Sequence, residues 1–123
     1  MKMVLVLGSL LWVFSSSGGD GFALTKGAAS WYGEAHRGKL MANGKKFDPD
    51  KLTAASWFYP LGTQVRVIVR GQPERSVVVT ITDRGPARRL VRRGRAIDLA
   101  HAAFKEIADP DLGLVPVAIE PIR

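Results

Sequence analysis

The chain has 123 residues, room for one domain, and its 18 Lys and Arg outweigh 11 Asp and Glu to give a formal charge of +7. It contains no cysteine, which excludes both a disulfide framework and a lipid carried on a thiol. A basic chain of this kind has anionic partners in reach: cell-wall polymers, membrane surfaces or nucleic acid.

In chain order, Lys2 precedes the apolar run 3-MVLVLGSLLWVF-14 and the small polar run 15-SSSGGDGFA-23. A charged start, an apolar centre too short for the ~20 residues of a spanning helix, and small residues at Gly21 and Ala23 predict a secretory signal peptide over 1–23. That leaves residues 24–123, exported to the periplasm or cell envelope with no lasting membrane anchor. Strand candidates follow at 28–32 and 52–56. Residues 64-QVRVIVR-70 and 75-RSVVVTIT-82 alternate strictly, and the turn 71-GQPE-74 between them predicts a hairpin. Ala100, Ala103, Phe104 and Ile107 recur at helical spacing, with Asp98 as the expected N-cap and Asp109-Pro110 as the stop. A last strand is expected over 114–119, where Pro116 predicts an edge or a bulge. Short strands, frequent turns and one short helix predict a small β-barrel.

Four stretches recur together: 27-GAASWYG-33, 42-ANG-44, 53-TAASWFYPLGT-63 and 83-DRGP-86, followed by 95-RAIDLAHAAF-104. In this order they resemble the rare-lipoprotein-A type of double-psi β-barrel, found in a septal peptidoglycan lytic transglycosylase and more distantly related to expansins. The resemblance implies a mainly β fold, a six-stranded double-psi barrel with one short helix, over 24–123. It implies a lyase that cuts peptidoglycan glycan strands without adding water, leaving anhydro-muramyl ends. One carboxyl protonates the departing oxygen and then, as a base, helps a sugar hydroxyl close the ring. Such a carboxyl needs a pKa raised by burial.

By the same resemblance Asp83, in the DRGP turn, is the expected acid and base, and Asp98, in 97-IDLA-100, a supporting carboxyl. The family's acidic residue after Asn-Gly is Lys45 here, and its histidine after Thr-Ala-Ala is Ser56. Both are expected in the groove at reduced competence, and an ammonium at Lys45 within ~6 Å of Asp83 would hold that aspartate ionised. Met41 and His36 also depart from the family pattern.

Sugar rings pack on Trp and Tyr faces, so Tyr32, Trp57 and Tyr59 are the expected substrate platform, with Arg84 beside them and Phe58 in the core. On residues alone Asp83 also fits a turn and Asp98 a helix cap. Arg84, Arg88, Arg89, Arg92, Arg93 and Arg95 make a single-signed loop suited to an anionic ligand. His36 and His101 are too scattered for a metal site, and Ser56 has no triad partner in sequence, so no metal and no cofactor is expected. The expected partner is the peptidoglycan strand, bound by a monomer, with no nucleic acid. The alternative is a non-catalytic wall-binding or expansin-like wall-loosening module.

Overall fold

Alternating small and apolar residues make strands of the expected segments in the computed structural model, which describes residues 24–122. The expected signal peptide lies outside the described residues. The strands are β1 (Thr25–Tyr32), β2 (Thr53–Ala55), β3 (Gln64–Val69), β4 (Gln72–Asp83), β5 (Arg95–Ala100) and β6 (Val115–Pro121). They close in the order β1-β5-β2-β4-β3-β6, a double-psi β-barrel. Two pairings are parallel, β1 with β5 and β2 with β4; the remaining neighbours run antiparallel.

The hairpin is β3–β4, with Val65 opposite Val79 and Val67 opposite Val77. These valines point inward and join Val117 and Ile119 of β6, Ile97 and Leu99 of β5, and Ala29 and Ala54. Burying each large apolar side chain contributes roughly 1.5–3 kcal/mol, so the barrel interior is where the fold gets its stability. Phe104 and Ile107 belong to the same core. They come from the turn of helix α2 (His101–Lys105) and the residues just after it. Gly27 is required where β1 and β5 come together: a Cβ there would stand 2.7 Å from the Gly94 carbonyl oxygen and 2.8 Å from the Ala96 Cβ.

Three expectations need correction. Asp98 is not a helix cap; it lies inside β5, and the residue before α2 is Ala100, which makes no side-chain cap bond. A second helix, α1 (Arg88–Val91), forms within the arginine loop where none was expected. Pro116 is not at an edge, because β6 is paired on both sides. Its carbonyl accepts from Arg70 N at 3.0 Å, so its missing N–H points to the same side, just past the final β3 register pair Val69–Val117.

Candidate active site

The site is organised around Ala55, the last residue of β2. The inward set on β4 is Val77, Val79 and Ile81, and plain alternation would send Asp83 inward after them. A register slip intervenes: Ala54 pairs with Ile81, but Ala55 pairs with Asp83, so Thr82 is passed over. On its other side Ala55 pairs with Asp98 of β5. The two aspartates therefore flank one small residue on neighbouring strands, with backbones about 10 Å apart, or two strand spacings.

Their surroundings differ. Asp83 Oδ1 accepts from Ala42 N and Arg84 N, both at 2.8 Å. The loop that supplies Ala42 is docked on β4 by Asn43 N donating to the Thr82 carbonyl at 3.2 Å. Asp98 Oδ1 accepts from the Ser30 hydroxyl at 3.2 Å. Burial pushes the Asp98 carboxyl from its ordinary 3.8 up to about 6; Ser30, Arg95 and His36 pull it down, and the charge of Asp83 adds to the rise.

Tyr32 completes the cluster. It ends β1 two residues past Ser30 and so shares its face. Its ring stacks on Phe47 at 4.1 Å and meets the edge of His36 at 5.6 Å. The Tyr32 hydroxyl is buried without a hydrogen-bond partner. Burial first, then the charges of Asp83 and Asp98, push its pKa far above the ordinary phenolic value, so it remains a neutral donor. A buried donor left open within the field of two carboxyl groups is unusual, since most such groups find a partner.

Beside Asp83 opens a cleft of about 420 Å³, whose lining includes Met41, Asn43, Lys45, Phe47, Thr53 and Thr82. Lys45 lines this cleft. It is exposed, its main-chain N–H donates to Asn43 Oδ1 at 2.9 Å, and among the described residues it forms no ion pair with Asp83 within 4.0 Å. The contact from this loop to Asp83 is the Ala42 main chain, not the ammonium.

Other expected site residues lie elsewhere. Ser56 is fully buried, so it does not line the groove. Its hydroxyl accepts from Phe58 N at 3.1 Å and faces the Ala96 carbonyl at 3.5 Å, which makes it a turn residue. Tyr59 is buried as well and is not a substrate platform; its hydroxyl donates to Thr25 Oγ1 at 2.8 Å. Phe58, expected in the core, is 49% exposed. The turn after Ser56 reverses the pair, sending Tyr59 in and Phe58 out. Arg84 is committed to that turn: Nη1 donates to the carbonyls of Ser56 at 2.7 Å and Tyr59 at 2.6 Å. It holds the loop and does not offer a free guanidinium to a ligand. Trp57 is exposed as expected, with Nε1 donating to the Pro86 carbonyl at 2.7 Å and the Arg88 guanidinium 4.1 Å above its ring. Ser30 and Phe47 escaped the sequence reading. Period-two spacing from Tyr32 could have found Ser30; nothing local marks Phe47. Among the described residues no group of three or more His, Asp or Glu is placed to hold a metal ion.

Residues 24–119 match the family model described as lytic transglycolase. A Synechocystis protein designated "Probable endolytic peptidoglycan transglycosylase RlpA" is 41% identical over 99 residues, 79% of this chain and 29% of that one. The Pseudomonas aeruginosa "Endolytic peptidoglycan transglycosylase RlpA" is 38% identical over 96 residues, 78% of this chain and 27% of its own length. The chain thus spans under a third of these relatives. Among solved structures, the Streptomyces papain inhibitor superposes with a TM-score of 0.64 at 24% identity, over 85% of this chain and 98% of its own. A mutant Clavibacter michiganensis expansin in complex with cellohexaose gives 0.60 at 19% identity, over 82% and 51%. These two likenesses speak for the fold alone.

Proposed function

The chain belongs to the lytic transglycolase family, and from that premise we propose that it is an exported cell-wall protein that cleaves peptidoglycan glycan strands without adding water. The observation that carries this reading is the pair of half-buried carboxyl groups flanking Ala55, one anchored by main-chain N–H groups and one with a raised pKa. Asp98 is the group suited to protonate the departing glycosidic oxygen, because at about 6 it keeps a protonated fraction up to neutral pH. As a carboxylate it then takes the proton from the sugar hydroxyl that closes the anhydro ring, so the proton is returned and no water is consumed. Asp83, held by two main-chain N–H groups, supplies negative charge where the sugar ring becomes positive. This exchanges the roles expected from the sequence. The Tyr32 hydroxyl, buried and neutral, adds no charge of its own beside the pair. The relatives' names supply the substrate, and the apolar run at 3–14 supports export.

The test is digestion of purified glycan strands with product analysis. Anhydro-muramyl ends should appear with the parent protein and disappear with Asp98→Asn; full activity of Asp98→Asn would overturn the assignment. One observation favours a second reading, a wall-binding module without catalysis: the position of the family's histidine holds Ser56, buried and unable to titrate. On that reading the parent protein sediments with sacculi yet yields no anhydro product.

A further inference from the structure

The arginine loop and the exposed Trp57 are left over from the site just described. Arg84, Gly85 and Pro86 lead away from Asp83, and Gly85 packs against Ala55: a Cβ there would meet the Ala55 Cβ at 3.3 Å. On the far side of this turn Trp57 is pinned to the Pro86 carbonyl. Beyond it a pocket of about 210 Å³ is lined by Trp57, Phe58, Arg88, Val91 and Arg92. Its walls are of two kinds, an apolar one from Trp57, Phe58 and Val91, and a cationic one from two arginines.

The arginines are one helical turn apart and so share a face of α1 and its cap, an arrangement that repels. Among the described residues no acid relieves it. Residues 84–97 contain no acid, and among the described residues neither Arg88 nor Arg92 has an ion-pair partner within 4.0 Å. Arg88 gains only the face of Trp57, at 4.1 Å, which leaves its edge N–H donors free. Trp57 and Phe58 stay 39% and 49% exposed, although the core is otherwise well filled. A planar anion answers the guanidinium edges as a bidentate partner, and a small apolar group behind it answers the rings.

We infer that the Trp57–Arg88–Arg92 pocket is a second binding site, separate from the Ala55 carboxyl pair, for a carboxylate borne on a small apolar carbon. On a glycan strand that chemistry has two sources: the lactyl carboxylate of a muramic acid whose peptide has been removed, or the free end of the peptide where it is present. Occupying this pocket would hold the strand by its acidic substituents while the sugar backbone lies at the aspartates. The identification of the strand rests on the proposed function; the preference for a carboxylate does not.

The test follows the Trp57 indole N–H by NMR in the ¹⁵N-labelled protein, its resonance assigned as the one lost in Trp57→Phe. The probes are N-acetylmuramic acid, N-acetylmuramoyl-L-alanyl-D-isoglutamine, N-acetylglucosamine and inorganic phosphate. At least one of the two acids should shift the resonance saturably, and the tighter of them identifies the source. Arg92→Gln, at an exposed position, should weaken that binding roughly tenfold, and Asp98→Asn should leave it unchanged. An equal response to the neutral sugar or to phosphate, or none to either acid, overturns the inference. A parent protein that shows this response but no glycan cleavage would overturn the proposed activity and leave the pocket standing.

Discussion

The Ala55 pair and the Trp57 pocket lie on either side of one turn, yet they handle charge in opposite ways. At Ala55 two like charges, both half-buried, are held near each other by backbone pairing; the cost appears as a raised carboxyl pKa and an unpaired tyrosine hydroxyl. At Trp57 the like charges are exposed, and water and salt screen them. Burial turns a charge into a reactive group; exposure turns it into a handle for a ligand.

The sharpest way to break this contrast is to remove Asp98, the acid whose pKa is raised. Asp98→Asn should lower glycan cleavage by about 10²–10⁴-fold, the range for losing a general acid–base group, as measured by anhydro-muramyl product formation. The same substitution should act oppositely on stability. A carboxyl whose folded pKa lies above its unfolded value holds its proton more tightly when folded. Its contribution is full below about 3.8 and is lost as pH rises through about 6. Asp98→Asn escapes that loss, so denaturant unfolding should show it more stable than the parent by up to about 2–3 kcal/mol at pH 8, with the gain absent near pH 3. A gain that is independent of pH would mean that burial does not govern this carboxyl.

Arg84→Ala should cost about 1–3 kcal/mol by leaving two carbonyls without their donor, seen in thermal unfolding. By releasing the turn that carries Trp57 and Phe58, it should also weaken the affinity of the Trp57 pocket for acids at temperatures where the fold persists. Two tyrosines sharpen the comparison further. Tyr59→Phe deletes a paired hydroxyl and should lose about 1 kcal/mol. Tyr32→Phe deletes an unpaired one, and should leave stability level or slightly higher. The smallest expected effect is on salt: raising ionic strength from 0.05 to 0.5 M should weaken acid binding at the Trp57 pocket severalfold, but leave the pH profile of cleavage nearly in place.

How much of this was legible in the sequence depended on whether the signal was local. The β3–β4 hairpin was readable because its alternation matches one face in and one face out. β5 was not: Ala96, Ile97, Leu99 and Ala100 are all buried, so the period-two pattern is erased and Asp98 reads as a helix cap. The motifs carried the barrel, but not which of the two aspartates has its pKa raised, because that depends on neighbours far away in the chain. Phe58 and Tyr59 were exchanged because the Ser56 turn and the Arg84 clamp decide their directions, and both act at the level of main-chain hydrogen bonds. Helix α1, four residues long and half arginine, has no apolar stripe to announce it.

The shortest strand in the barrel acts as a ruler. β2 has three residues and is stitched on both edges, so the span between the two acids is metered by peptide geometry alone. Surrounding loops can lengthen, change sign or swap one side chain for another without altering that gauge. A scaffold of this sort could shed its catalytic partners one at a time and still hold a saccharide in the same place.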